Sequence, residues 1–147
     1  TAGLNIYEKS MSYEYIPGVE AFIADLRKHG AKIAVVTSSN EEKMQNVYNA
    51  HPEFKGMVDR ILTGEMFARS KPAPDCFLLG MEILGATPEN SYVFEGSFHG
   101  LQAGMTSGAT VIGLATTNTR EAITGKAHYI IDDFSEMTFE HLLALHR

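Results

Sequence analysis

The sequence predicts an α/β domain built on a mostly parallel sheet. Short apolar runs, AKIAVVT at 31–37, SYVFE at 91–95 and TVIGLA at 110–115, alternate with stretches of helical periodicity along the chain. The first of these runs is apolar at nearly every position, the pattern of a parallel strand covered on both faces. The 147 residues suit one domain with its own core, and the chain shows no internal repeat, low-complexity tract or linker.

The elements follow in order. Pro17 to His29 reads as a helix with Val19, Phe22, Ile23 and Leu26 on one face, Pro17 in its first turn and Gly30 as its stop. After the strand at 31–37, Ser39 and Glu42 have capping-box spacing, so a helix starts near residue 40. RILTG, 60–64, reads as a second strand. Pro74 opens a helix whose inner face is Phe77, Leu78, Met81 and Leu84, with Gly85 after it. SYVFE is the third strand, and GSFHGLQAGMTSG a loop and then a helix. Gly100, Gly104 and Gly108 weaken that helix in isolation but allow it to pack closely on a sheet. TVIGLA is the fourth strand, TREAI a short helix, HYIID a fifth strand and TFEHLLALH a closing helix.

Composition narrows the function classes. Apolar residues make up 44% and charged residues 20%, as in soluble globular chains. The net charge of −6 argues against a nucleic-acid or anionic-membrane surface, which needs a basic face. No apolar run approaches the roughly 18 residues that span a bilayer. The N-terminus, TAGLNIYEKSMSYEY, lacks a signal-peptide pattern and a starting Met, and reads as the cut end of something longer. One cysteine, Cys76, excludes an internal disulfide, and the cytoplasm is the default compartment.

In an open parallel sheet, ligands bind beyond the carboxyl ends of the strands. The first strand ends in Thr37, Ser38, Ser39 and Asn40, just before a helix. Hydroxyls with free backbone N–H groups there suit phosphate, and they equally suit simple helix capping. The third strand ends in Glu95, a carboxylate costly to leave unpaired at the mouth of a sheet. A metal ion, a lysine or a local backbone N–H would satisfy it. Lys71 lies in a loop stiffened by Pro72 and Pro74, where a fixed ammonium suits phosphate as a point charge. His99 follows Glu95 and reads as a surface residue at the start of its helix. His51, His128, His141 and His146 show no metal-ligand spacing. Cys76 reads as a small core residue, and Asp132 and Asp133 as turn and cap residues.

These stretches together resemble the haloacid dehalogenase superfamily, in its branch of β-phosphoglucomutases and sugar-phosphate phosphatases. VVTSSN resembles the second motif, SKPAPD the third, and VFEGSFHGLQAGMTSGATVIGL the fourth, in the right order and over nearly the whole chain from Pro17. The resemblance implies a Rossmann-like three-layer αβα sandwich with a mostly parallel sheet. It implies a phosphatase or phosphomutase acting on a small phosphorylated metabolite, such as a sugar phosphate, through an aspartyl-phosphate. By the same resemblance Thr37, with Ser38, would bind the transferring phosphoryl group. Lys71 would neutralise its charge and that of the nearby acids, Glu95 would help hold Mg²⁺, and Ser97 would support that loop.

Two departures matter. The family's nucleophile lies in a DxDx(T/V) motif. Of the chain's aspartates, Asp25, Asp59, Asp75, Asp132 and Asp133, none has a second two residues on. The family's first strand and most of its cap are therefore expected to be missing, with residues 1–16 the end of the cap and 1–147 a single core domain. The sheet would then hold a gap between 32–37 and 91–95. Those strands would pair directly, or the gap would invite another segment or self-association. Second, Gly96 stands where the family has an aspartate on Mg²⁺, so metal binding should be weak or absent. The chain as written is expected to be inactive. A non-catalytic relative that binds a phosphorylated ligand or a partner protein is the alternative. A receiver or flavodoxin-like domain shares the α/β pattern, but its acidic cluster or flavin loop is absent.

Overall fold

A computed structural model describes residues 17–37, 40–69, 71–116 and 118–145, and the backbone alone of residues 3–7. Among the described residues six strands form one sheet: β1 (Gly3–Tyr7), β2 (Lys32–Val36), β3 (Arg60–Leu62), β4 (Ser91–Glu95), β5 (Thr110–Leu114) and β6 (Tyr129–Ile131). Their spatial order is β3-β2-β1-β4-β5-β6. Every neighbouring pair is parallel. The helices are α1 (Val19–Lys28), α2 (Glu41–Ala50), α3 (Phe54–Met57), α4 (Asp75–Leu84), α5 (Phe98–Ser107), α6 (Arg120–Ile123) and α7 (Phe139–Leu143).

The strand period of two divides the core into two layers. Ile33 and Val35 of β2, Tyr92 and Phe94 of β4, and Ile112 and Leu114 of β5 pack against α1, α2, α3 and α7. Ala34, Val36, Val93 and Val111 point to the other face, against α4, α5 and α6. Apolar side chains on both faces are what an uninterrupted parallel strand requires. In the first layer Phe22, Phe94 and Phe134 form an aromatic cluster, with centroids 5.6, 5.4 and 5.3 Å apart. The three-layer αβα sandwich expected from the motifs is thus the observed fold.

The expected gap is corrected. β1 lies between β2 and β4, with Ile6 opposite both Val35 and Phe94. The sheet is continuous and β2 does not pair directly with β4. Two strand edges facing each other leave rows of unsatisfied N–H and C=O groups, and an extended segment between them satisfies both. The segment is GLNIY, which carries no aspartate. Residues 8–16 lie outside the described residues.

Smaller differences follow from local chemistry. The cap of α2 is Asn40, whose side chain accepts from the Lys43 N–H, so the helix begins where expected but on another cap than Ser39. Leu78, expected on the inner face of α4, is 41% exposed, and Cys76 takes a place in the core instead. Gly85 ends α4 in the left-handed conformation (φ 73°), as its position implies. The short helix α3 has no counterpart in the sequence pattern, having one turn and a single buried residue, Phe54. Asp133 does act locally, its carboxylate accepting from the Ser135 N–H, while Asp132 pairs with Arg120.

Candidate functional site

Three side chains singled out in the sequence stand on the segments beyond the carboxyl ends of β2, β3 and β4. Thr37 follows β2, is buried, and donates its backbone N–H to the Leu62 carbonyl at 2.9 Å. Glu95 closes β4 and is fully buried. β1 separates their strands, so the two positions lie about 10 Å apart, two strand spacings. Ser38 and Ser39 lie outside the described residues.

Lys71 reaches Glu95 from the loop between β3 and α4. Its Nζ stands 3.4 Å from Glu95 Oε2, with the two side chains 6% and 0% exposed. That is longer than the roughly 2.7–2.9 Å of a tight charge-assisted bond. The pair is therefore an ion pair with slack in it. The loop is closed at its base by Arg69, whose Nε and Nη2 donate to the two carboxylate oxygens of Asp75 at 3.1 and 2.8 Å. The ammonium also lies 5.4 Å from the centroid of the Phe77 ring.

The Glu95 carboxylate folds back under the first turn of α5. Its Oε1 accepts from the Gly96 N–H at 2.9 Å, the Ser97 N–H at 3.0 Å and the Ser97 hydroxyl at 3.0 Å. Ser97 is the N-cap of α5, its Oγ accepting from the Gly100 N–H at 3.1 Å. Ser97 therefore ties the end of β4 to the start of α5. His99 is exposed on the first turn of α5.

Burial governs the electrostatics. It pushes the Glu95 carboxyl above the ordinary carboxylate range, opposed by Lys71 and by the donors from Ser97 and Gly96. It pushes the Lys71 ammonium below the ordinary lysine range, opposed by Glu95. Cys76, close to both charges, is pushed up to about 11 by burial and stays a thiol.

Among the described residues the donor set does not fit a Mg²⁺ ion. A carboxylate offers about four lone-pair positions. In Glu95, Oε1 already meets three donors and Oε2 faces Lys71. Gly96 brings no side-chain oxygen, and its carbonyl accepts from Asn118 Nδ2 at 2.9 Å. Among the described residues no group of three or more His, Cys, Asp and Glu could hold a metal. Mg²⁺ needs near-octahedral oxygen coordination, usually anchored by one or two carboxylates.

Sequence reasoning misses three participants. The Arg69–Asp75 clasp and Asn118 are ordinary surface residues in sequence, and only the fold brings them to these loops. Gly100 reads in sequence as a packing glycine like Gly104. Their surroundings separate them: a Cβ on Gly104 would meet Val111 and Val93 at 3.0 and 3.1 Å, whereas one on Gly100 would lie 2.0 Å from Glu95 Cδ.

Residues 4–114 match the model of the haloacid dehalogenase-like hydrolase family, and the chain belongs to that family. It is 31% identical over 124 residues to Protein CbbY of Cereibacter sphaeroides, covering 82% of this chain and 54% of CbbY. It is 33% identical over 99 residues to hexitol phosphatase A of Escherichia coli, covering 66% and 44%. Among solved structures, a family IA hydrolase from Entamoeba histolytica superposes with a TM-score of 0.81 at 25% identity, over 88% of this chain and 59% of that one. CbbY from Rhodobacter sphaeroides in complex with phosphate gives 0.76 at 29% identity, over 86% and 58%. The chain thus spans about half the length of these two curated relatives.

Proposed function

We propose that this chain is the phosphate-recognising core of a phosphatase or phosphomutase for a small phosphorylated metabolite, a sugar phosphate by its relatives. Thr37 and Ser38 would meet the phosphoryl oxygens and Lys71 would neutralise their charge. The observation that carries this reading is the Lys71–Glu95 pair, held at the mouth of a parallel sheet by an α5 N-terminus. Support also comes from the family and from relatives named as phosphatases and phosphomutases. The reading places the protein in the cytoplasm, with no nucleic-acid or membrane partner. Among the described residues no helix is long and apolar enough to cross a membrane.

The same reading makes the 147 residues inactive by themselves. They contain no DxD pair to form an aspartyl-phosphate. The family role of Glu95 is to help hold Mg²⁺. Here it is a partner for Lys71 and α5, and Mg²⁺ binds weakly or not at all. The test uses the purified chain. Orthophosphate titrated by NMR should shift Thr37 and the Lys71 loop, and Lys71→Met should abolish the shift. Incubation with sugar phosphates and Mg²⁺ should release no phosphate. Steady Mg²⁺-dependent release overturns inactivity, and absence of orthophosphate binding overturns phosphate recognition. The second reading, a non-catalytic binder of a phosphorylated ligand or a protein, is favoured by Gly96 and the committed Glu95 oxygens.

A further inference from the structure

We propose that Gly100 is a positioning residue for the Lys71–Glu95 pair, its missing side chain making the room that the Glu95 carboxylate occupies. The inference rests on the phosphate-recognition reading for its functional consequence, and on geometry alone for the placement. A Cβ built on Gly100 would stand 2.0 Å from Glu95 Cδ, 2.1 Å from Oε2 and 2.3 Å from Cγ. All three atoms belong to one fully buried side chain whose Oε1 is held by three donors, so moving them sets the added Cβ against those bonds. Those donors form a chain back to the same glycine: Gly100 N–H to Ser97 Oγ, and Ser97 O–H to Glu95 Oε1. Glu95 Oε2 then faces the Lys71 ammonium. The first turn of α5 thus encloses the carboxylate, and the carboxylate faces the lysine.

Backbone conformation is not the reason for glycine here. Gly100 is not among the residues with positive φ, and it lies inside a helix. Helix propensity alone would favour alanine at this position. The sign of a Gly100→Ala substitution is therefore set by the clash with Glu95. The carboxylate must leave its cradle, and Lys71 loses the anion that orients it.

The experiment is a thermodynamic cycle in the 147-residue chain, with melting temperature and NMR titration of orthophosphate as readouts. Gly100→Ala should lower the melting temperature and weaken orthophosphate binding by about tenfold, the loss of one charge-assisted contact. In a Glu95→Ala background the same change should cost nothing or stabilise, because the three clashing atoms are gone. Gly104→Ala is the control, and Glu95→Ala should not relieve its penalty. An equal Gly100→Ala penalty in both backgrounds overturns the proposal. So does a single variant with wild-type stability and affinity. If Gly100→Ala does not fold, recovery of folded protein in the double variant supports the proposal, and its failure to recover overturns it. Should Glu95→Ala itself not fold, the Glu95→Ala/Lys71→Met background takes its place for the stability cycle, since it removes the same three atoms without leaving a buried ammonium unpaired. Absence of orthophosphate binding in the wild type would remove the functional reading, and the stability cycle would then decide the placement by itself.

Discussion

Lys71 and Glu95 hold opposite charges in a place that penalises both. Burial drives the carboxyl up and the ammonium down, and each ion is supported by the other, with the donors on Oε1 supporting Glu95. The consequence for stability has a definite sign. A carboxyl whose folded-state pKa is raised favours folding most when protonated, below its unfolded value. That contribution is lost as pH rises through the raised value. Lys71 offsets the loss by pairing with the ionised form. Replacing it with methionine keeps the volume and removes the charge. Lys71→Met should therefore cost most toward alkaline pH, about 3 kcal/mol where Glu95 is left ionised and buried. The cost should shrink as pH falls and the carboxyl, raised by burial, takes up a proton instead. Urea denaturation across a range of pH measures the difference. A penalty independent of pH would show that the pair contributes packing alone.

At the scale of elements, the turn from β4 into α5 organises the site. Glu95 ends the strand, Ser97 caps the helix, and Gly96 joins them. A Cβ on Gly96 would come within 3.0 Å of the Leu114 carbonyl oxygen and 3.4 Å of Thr116 Oγ1. The place is therefore tight against β5. Gly96→Asp would bring a second carboxylate beside the buried first one, and both the crowding and the like charge oppose it. Without metal the variant should lose about 1–3 kcal/mol. Mg²⁺ should restore much of that, since saturation at a hundred times Kd contributes about 2.7 kcal/mol. The wild type should show no change in melting temperature with Mg²⁺. A comparable rise in the wild type would mean that Glu95 holds the ion after all. These elements also show what can be read from sequence. β4 and β5 follow from local pattern, because the strand period acts over a few residues. Lys71 and Glu95 are legible as candidates, and a lysine is among the partners the sequence offers Glu95, but across 24 residues no spacing rule chooses it over a metal ion or a local N–H. Gly100 is invisible for a related reason. Its neighbour in space is a side chain whose rotamer no spacing rule specifies.

For the molecule as a whole, continuity of the sheet depends on one short strand. β2 and β4 are largely apolar strands with a helix layer on each side, and each gives one edge to β1. β1 is five residues long and occupies the middle of the sheet, so its loss would not simply shorten the sheet. It would open two internal edges, with the carboxyl end of β2 on one side and Glu95 on the other. Such edges are templates for another chain's strand. Removing residues 1–16 should therefore change the assembly state as well as the stability. The truncated chain should elute from size exclusion as a dimer or larger species at concentrations where the 147-residue chain is monomeric, and it should melt earlier. A peptide of residues 1–16 added in excess should reverse both effects, because it returns the missing backbone donors and acceptors without altering any helix. If the truncated chain stays monomeric with an unchanged melting temperature, β2 and β4 close on each other. The central place would then be dispensable, and self-association through it would have no physical basis.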